Sequence, residues 1–399
     1  MYQGMPYFRE VNQKRCLTLH PIGGSALLLD PAREAVFALD AQSAFLWCCL
    51  DDGLGEDDIV RVFADDFGVS RDEARQTVDG ILASLDRLVE AGAPEPAAHS
   101  PRPDPARAVA APDREPSPVA PVRVGLLGTV FDVTFPSSKL RESFLSAMGH
   151  LECQADGAGV EARVVEDADG YRVLVDGEVA EQCGEIAEVA SQVKAALTHA
   201  AINRTDFDAC VHAAVVSVGG RGVLLPAGSG SGKSCLALTL AGAGWDCLSD
   251  DLALFRLDGP TVQGVPAATC VKAAAWEAMT AIHPALETLP VHRRIDGKVI
   301  KYLSVARVDS APEPVRAIIF PTFEAGAGAE LTRLLPEEAL GEFLASILAW
   351  RARLTASVVD GLIGFIEATP CYRLRYGASE DAVAVFRGLF PTATDEAGR

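Results

Sequence analysis

Residues 222–251 read GVLLPAGSGSGKSCLALTLAGAGWDCLSDD. Val223–Leu225 is a short apolar run of the kind that forms a buried strand, and Pro226 ends it. After Gly228, Gly230 and Gly232, KSCLALTLAGAG spaces Leu236, Leu238 and Leu240 along a helix, with Gly242 or Gly244 as the stop. A glycine run therefore joins the end of a strand to the start of a helix. Free backbone N–H groups converge there, and the helix dipole favours negative charge. Ala227, Gly228, Ser229, Gly230, Ser231, Gly232, Lys233 and Ser234 spell the phosphate-loop pattern G-x-x-x-x-G-K-[ST], with alanine at the first glycine. The pattern predicts that backbone N–H groups ring a phosphate, Lys233 reaches the terminal phosphates of a nucleotide, and the Ser234 hydroxyl binds Mg²⁺. Alanine at 227 is expected to constrain the turn, because it resists positive φ.

Two neighbours add chemistry. WDC is a second short strand, and it leads into Asp250 and Asp251. Of two adjacent carboxylates this close to a phosphate loop, one can hold a metal and the other can accept the proton of an attacking hydroxyl. Without the loop they would read as a solvated turn. His212 lies upstream in the apolar run CVHAAVVSVGGRG. A lone histidine there reads as a core residue, unless the run folds back as a hairpin onto residues 221–226 and brings it to the loop.

The stretch VHAAVVSVGGRGVLLPAGSGSGKSCLALTLAGAGWDCLSDDLALF, in its order of histidine, glycine hairpin, phosphate loop, helix and Asp-Asp, resembles the HPr kinase-like family. RRIDGKVIKYL, VRAIIFPTF and CYRLRYG extend the similarity over most of residues 122–399. The resemblance implies an α/β P-loop kinase domain of the HPr kinase/PEP carboxykinase-like kind. It would use ATP and Mg²⁺ to phosphorylate a serine or threonine hydroxyl of a protein or peptide. By position it makes Lys233 and Ser234 the ATP·Mg²⁺ ligands, Asp250 the general base, Asp251 a metal-associated acid and His212 a site residue. The family's C-terminal signature is not clearly found here, so the resemblance leaves its phosphorylase reaction and its HPr substrate open. Alanine at 227 favours an alternative, a pseudokinase or nucleotide sensor that binds ATP without transferring phosphate. Lys272, Arg293, Arg294 and Lys298 form a basic stretch that reads equally as a phosphate clamp or as a charged loop.

The rest of the chain divides at residues 93–121, where APEPAAHSPRPDPARAVAAPDREPSPVAP is almost devoid of large apolar residues and reads as a semi-stiff linker. In residues 1–92, SALLLD and AVFALD predict a hairpin. Asp40 is positioned to cap a helix over AQSAFLWCCLDD, and Gly68 to stop one over GEDDIVRVFADDFG. Ser70 with Glu73 is a capping box at the head of a third helix. This is a small winged-helix-like α+β pattern. VFALDAQSAFLWCCLDDGLGEDDIVRVFADDFG with VDGILASLDRLVEAG resembles the PqqD-like domains, the recognition elements of ribosomal-peptide modification. The resemblance implies that residues 1–92 bind the leader of a precursor peptide as an added β-strand. Beyond the linker, PEEALGEFLASILAWRARL predicts a helix burying Leu340, Phe343, Ile347 and Trp350, and CYRLRYG predicts an edge strand.

Of the 399 residues, 49% are hydrophobic and the formal net charge is −20. That acidity argues against nucleic acid or an anionic membrane as the partner, while leaving local phosphate binding open. Ten cysteines without a C-x-x-C pair point to a reduced, cytoplasmic protein with no zinc site. The N-terminus lacks the apolar core of a signal peptide, and no run of about 18 apolar residues is present to span a membrane. The sequence is compatible with a homo-oligomer and leaves its size open.

Overall fold

The computed structural model describes residues 16–90, 119–228, 230–308 and 311–391. The linker expected at 93–121 lies outside them as far as residue 118, and so does Ser229. The chain forms two compact units.

The first unit opens with strands β1 (Thr18–Ile22), β2 (Ser25–Asp30) and β3 (Ala35–Leu39) in an antiparallel sheet of that order. The hairpin expected from SALLLD and AVFALD is β2–β3, and β1 is a further strand. Helix α1 (Ala41–Asp51) starts where the Asp40 carboxylate accepts from Ser43 N at 2.8 Å. Helix α2 (Glu56–Phe67) stops at Gly68, which takes φ 65°. Helix α3 (Arg71–Glu90) starts at the expected box, with Ser70 N donating to Glu73 Oε2 and Glu73 N to Ser70 Oγ. Leu46, Trp47, Ile59, Phe63, Val78 and Leu82 fill the core between these helices and the face of the sheet that carries Leu28.

Leu27 and Leu29 point to the opposite face, because side chains alternate across a strand. Each is only 1% exposed, so a second layer must cover them. That layer comes from far along the chain. Residues 334–345 and 352–368 belong to this unit and supply helices Pro336–Ala345 and Ala356–Ala368. The His20 ring nitrogen Nδ1 lies 2.6 Å from Asp360 Oδ1, and Phe343 packs edge-on against Phe365.

The second unit holds three sheets with helices packed on them. Strands β4 (Val122–Leu126), β5 (Thr129–Thr134), β6 (Val160–Asp167), β7 (Gly170–Val175) and β8 (Glu178–Cys183) form one sheet in sequence order. Helix α4 (Ser138–Met148) links the parallel pair β5–β6. Helix α5 (Ile186–Arg204) follows β8, and Phe131, Phe144, Val193 and Leu197 share its core.

The larger sheet begins with β9 (Ala209–Ser217) and β10 (Gly222–Pro226), followed by helix α6 (Lys233–Gly242), β11 (Asp246–Ser249), β12 (Leu252–Arg256) and β13 (Thr261–Gly264). A three-stranded sheet interrupts it. There β14 (Thr269–Lys272), helix α7 (Trp276–Ile282), β15 (His292–Arg293) and β16 (Val299–Leu303) take the strand order β14-β16-β15. The chain then returns as β17 (Glu313–Phe323), β18 (Glu330–Arg333), α8 (Pro336–Ala345), β19 (Ile347–Trp350), α9 (Ala356–Ala368), β20 (Cys371–Tyr376) and α10 (Ser379–Leu389). β10, β17 and β20 run parallel, and Leu236, Leu240, Ile319 and Phe386 pack between them and helices α6 and α10.

The helix predicted over 336–354 ends at Ala345, and Ile347–Trp350 is a strand on β9. The unsatisfied edge of β9 captures that segment, with His212 N donating to Ser346 O at 2.8 Å. CYRLRYG is not an edge strand, because β20 lies between β17 and β18. Among the described residues no helix is long and apolar enough to cross a membrane.

Candidate active site

Strand β9 is the spine of the site. Its C-terminal half pairs with β10 on one edge and β11 on the other, while its N-terminal half pairs with β19 and β12. His212 sits where the partners change. On one edge the ladder ends at the pair Pro226–Ala213, and Ala227 N then donates to His212 O at 3.3 Å. On the other edge Ser249 pairs with Val215 and Leu252 with His212, so Asp250 and Asp251 occupy the gap between β11 and β12. The glycine loop and the carboxylate pair thus leave the same strand at the same level, from opposite edges.

The loop is held from behind. Gly232, the residue before α6, takes φ 90°. Its carbonyl accepts from Tyr376 Oη at 3.2 Å, and the Ser231 carbonyl accepts from Phe323 N at 3.1 Å. A Cβ at 232 would come within 2.6 Å of Tyr376 Oη. Ala227 is not among the residues with positive φ, so the constraint expected from alanine at the first glycine position does not arise.

Lys233 is 5% exposed, and its Nζ lies 2.7 Å from His212 Nε2. The same ring nitrogen lies 3.0 Å from Asp251 Oδ1. Burial lowers the Lys233 pKa, with Lys272 acting in the same direction and Asp251 and Asp250 opposing it. Burial raises Asp250, and the charge of Asp251 adds to that. Lys194 and the hydroxyls of Ser234 and Thr269 act the other way. Partial burial would raise Asp251 too, but the hydrogen bond with His212 and the charges of Lys194, His212 and Lys233 carry it below the usual carboxylate range. Two adjacent aspartates therefore stand in opposite electrostatic environments. Asp250 is buried beside the Ser234 hydroxyl, and Asp251 is more than half exposed beside His212 and Lys233.

Of the basic residues singled out in the sequence, Lys272 is close enough to Lys233 and Cys235 to shift both. The others form a turn with its own acids: Arg293 pairs with Glu185, while Arg294 and Lys298 both pair with Asp296. Burial raises the thiols of Cys210, Cys235, Cys247 and Cys270, so none of these neighbours is poised as a thiolate. Three residues of the site escaped the sequence reading: Thr269, Tyr376 and Lys194. Lys194 left one signal, as the single charged side chain in VASQVKAALT, residues 189–198.

Residues 25–88 match the family model PqqD, described as Coenzyme PQQ synthesis protein D. They are a PqqD-like domain. It comprises β2, β3, α1, α2 and nearly all of α3, and it lies wholly within the first unit. The match thus leaves the glycine loop and the Asp-Asp pair outside it. No curated protein matches the chain.

Proposed function

We propose that the chain is an ATP-dependent kinase acting on a serine or threonine hydroxyl of a ribosomally made precursor peptide, which the PqqD-like domain recruits through its leader. The observation that carries the catalytic half is the line Lys233–His212–Asp251 at the mouth of the glycine loop, with Asp250 behind it against Ser234. In this reading the loop N–H groups and Lys233 hold the nucleotide's phosphates. Ser234 and Asp250 offer oxygen donors of the kind a hard dication takes, and Mg²⁺ bound there would neutralise phosphate charge. Geometry favours Asp250 over Asp251 for that task, the reverse of the assignment implied by the sequence resemblance.

Asp251 is then the proton acceptor. The acceptor hydroxyl oxygen attacks the γ-phosphorus, a new O–P bond forms, the bond between the γ-phosphorus and the ADP oxygen breaks, and the hydroxyl proton passes to Asp251. Asp251 is a weak base while Lys233 and His212 both face it. Once phosphate draws Lys233 away, that positive charge leaves the carboxylate and its basicity rises. The peptide half rests on the PqqD-like domain, in which β3 is an edge of the sheet to which a leader strand can be added.

The test is incubation of the full chain with ATP, Mg²⁺ and a short precursor peptide encoded beside its gene. The expected product is the peptide plus one phosphate by intact mass, strongly diminished with Lys233→Ala. ATP binding without such a product would favour the nucleotide-sensing alternative, for which alanine at 227 no longer argues.

A further inference from the structure

Lys194 has no task in the chemistry described so far. It projects from the middle of α5, and Nζ lies 5.3 Å from the centroid of the Tyr302 ring. That perch is fixed: Tyr302 Oη donates to Ser191 Oγ at 2.9 Å, and Ser191 Oγ donates to the Arg293 carbonyl at 2.9 Å, which locks α5 to β15 and β16. Tyr302 pairs with Cys270 across β14–β16, and the next residue, Thr269, reaches Asp250. Lys194 therefore stands beside the carboxylate pair on the side of the three-stranded sheet. Among the described residues it makes no hydrogen bond or ion pair. An aromatic face lets an ammonium stay partly desolvated without a counter-ion, which leaves its three donors for a ligand.

The local charge supports an anion. Lys194 and Lys233 both act on Asp251, and Lys272 acts on Lys233, so three lysines gather about the carboxylate pair. We propose that Lys194 is the binding residue of a second anion subsite, separate from the glycine loop, that takes the dianionic phosphate monoester of the phosphorylated acceptor. The identity of that ester rests on the kinase reading; the subsite itself does not. Lys233 and Lys272 serve the nucleotide side, and Lys194 serves the side from which the acceptor enters.

The experiment titrates inorganic phosphate, and separately O-phospho-L-serine, into the full chain saturated with ADP and Mg²⁺, followed by calorimetry. The expected result is one phosphate site beyond the nucleotide. Lys194→Gln should weaken it at least about tenfold, the worth of one charge-assisted hydrogen bond. Lys194→Arg should restore most of it, and ADP affinity should stay within about twofold. A thermal melt of each variant excludes misfolding, and Arg keeps the cation over Tyr302 if Gln disturbs the packing. Equal phosphate affinity in parent and Lys194→Gln overturns the proposal, as does phosphate binding that vanishes once ADP saturates the loop. If ADP does not bind, the nucleotide reading fails by itself, and the same Lys194 comparison on the nucleotide-free chain still decides the subsite.

Discussion

Lys233 Nζ lies 2.7 Å from His212 Nε2, and that same nitrogen lies 3.0 Å from Asp251 Oδ1. A neutral imidazole nitrogen either accepts or donates, so it cannot take a hydrogen bond from Lys233 and give one to Asp251 at once. In the proposed kinase the contest would end when an anion draws Lys233 into the loop, leaving Nε2 to donate to Asp251. Lys233→Ala should therefore lower phosphoryl transfer on the order of 10²–10³-fold, the scale seen when one preorganised donor is removed. His212→Asn should lower turnover while leaving ATP affinity within a few-fold. Calorimetric ATP binding and peptide mass together separate the two.

The aspartates should part company in their response to metal. Asp250→Asn removes a carboxylate beside Ser234, so it should raise the Mg²⁺ concentration needed for half-maximal activity. Asp251→Asn should leave that requirement in place and abolish turnover at any Mg²⁺. A Mg²⁺ titration of both variants checks the assignment, and the opposite pattern would restore the roles implied by the sequence resemblance.

Asp250 also makes a stability prediction. Its folded pKa is raised, chiefly by burial, so the folded state holds the proton more tightly than the unfolded chain does. Stability linked to that proton is complete below the unfolded value and is lost as pH rises through the folded one. Asp250→Asn should thus be more resistant to urea than the parent at about pH 8, and the gain should fade as pH falls and be gone below about pH 3, where both states are protonated. A variant less stable at every pH would show that the carboxylate serves the fold.

Gly232→Ala should cost about 1–3 kcal/mol, from the left-handed φ and from the clash with Tyr376 Oη together. Pairing it with Tyr376→Phe relieves the contact with the hydroxyl but neither the φ nor the contact with Phe323 Cβ, 2.9 Å from the same Cβ, so the double variant should recover only part of the loss in a chemical denaturation series.

The PqqD-like domain depends on helices from elsewhere in its own chain. A fragment ending at residue 92 lacks α8 and α9, so the face of β2 carrying Leu27 and Leu29 would meet water. It should bind a hydrophobic dye and self-associate, whereas the full chain should not. Within the full chain, Leu27→Ala should cost about 2–5 kcal/mol, as for a large buried side chain cut back.

The strand, glycine loop and helix at 223–242 were legible from the sequence, because their signals are local: an apolar run, a proline stop, glycines and a helical repeat. The same holds for the caps at Asp40 and Ser70, where a side chain bonds to backbone within three residues. Other features were set by partners distant in the chain. Ile347–Trp350 continues a helical pattern by spacing, yet the open edge of β9 makes it a strand. CYRLRYG alternates like an edge strand, yet β18 covers it. Lys194 looks like any surface lysine until Tyr302 and the aspartates are brought beneath it. Backbone propensity and capping act over a few residues and can be read in order along the chain. Which edge a strand completes, which helix roofs a sheet and which cation faces a carboxylate depend on contacts that only chain folding creates.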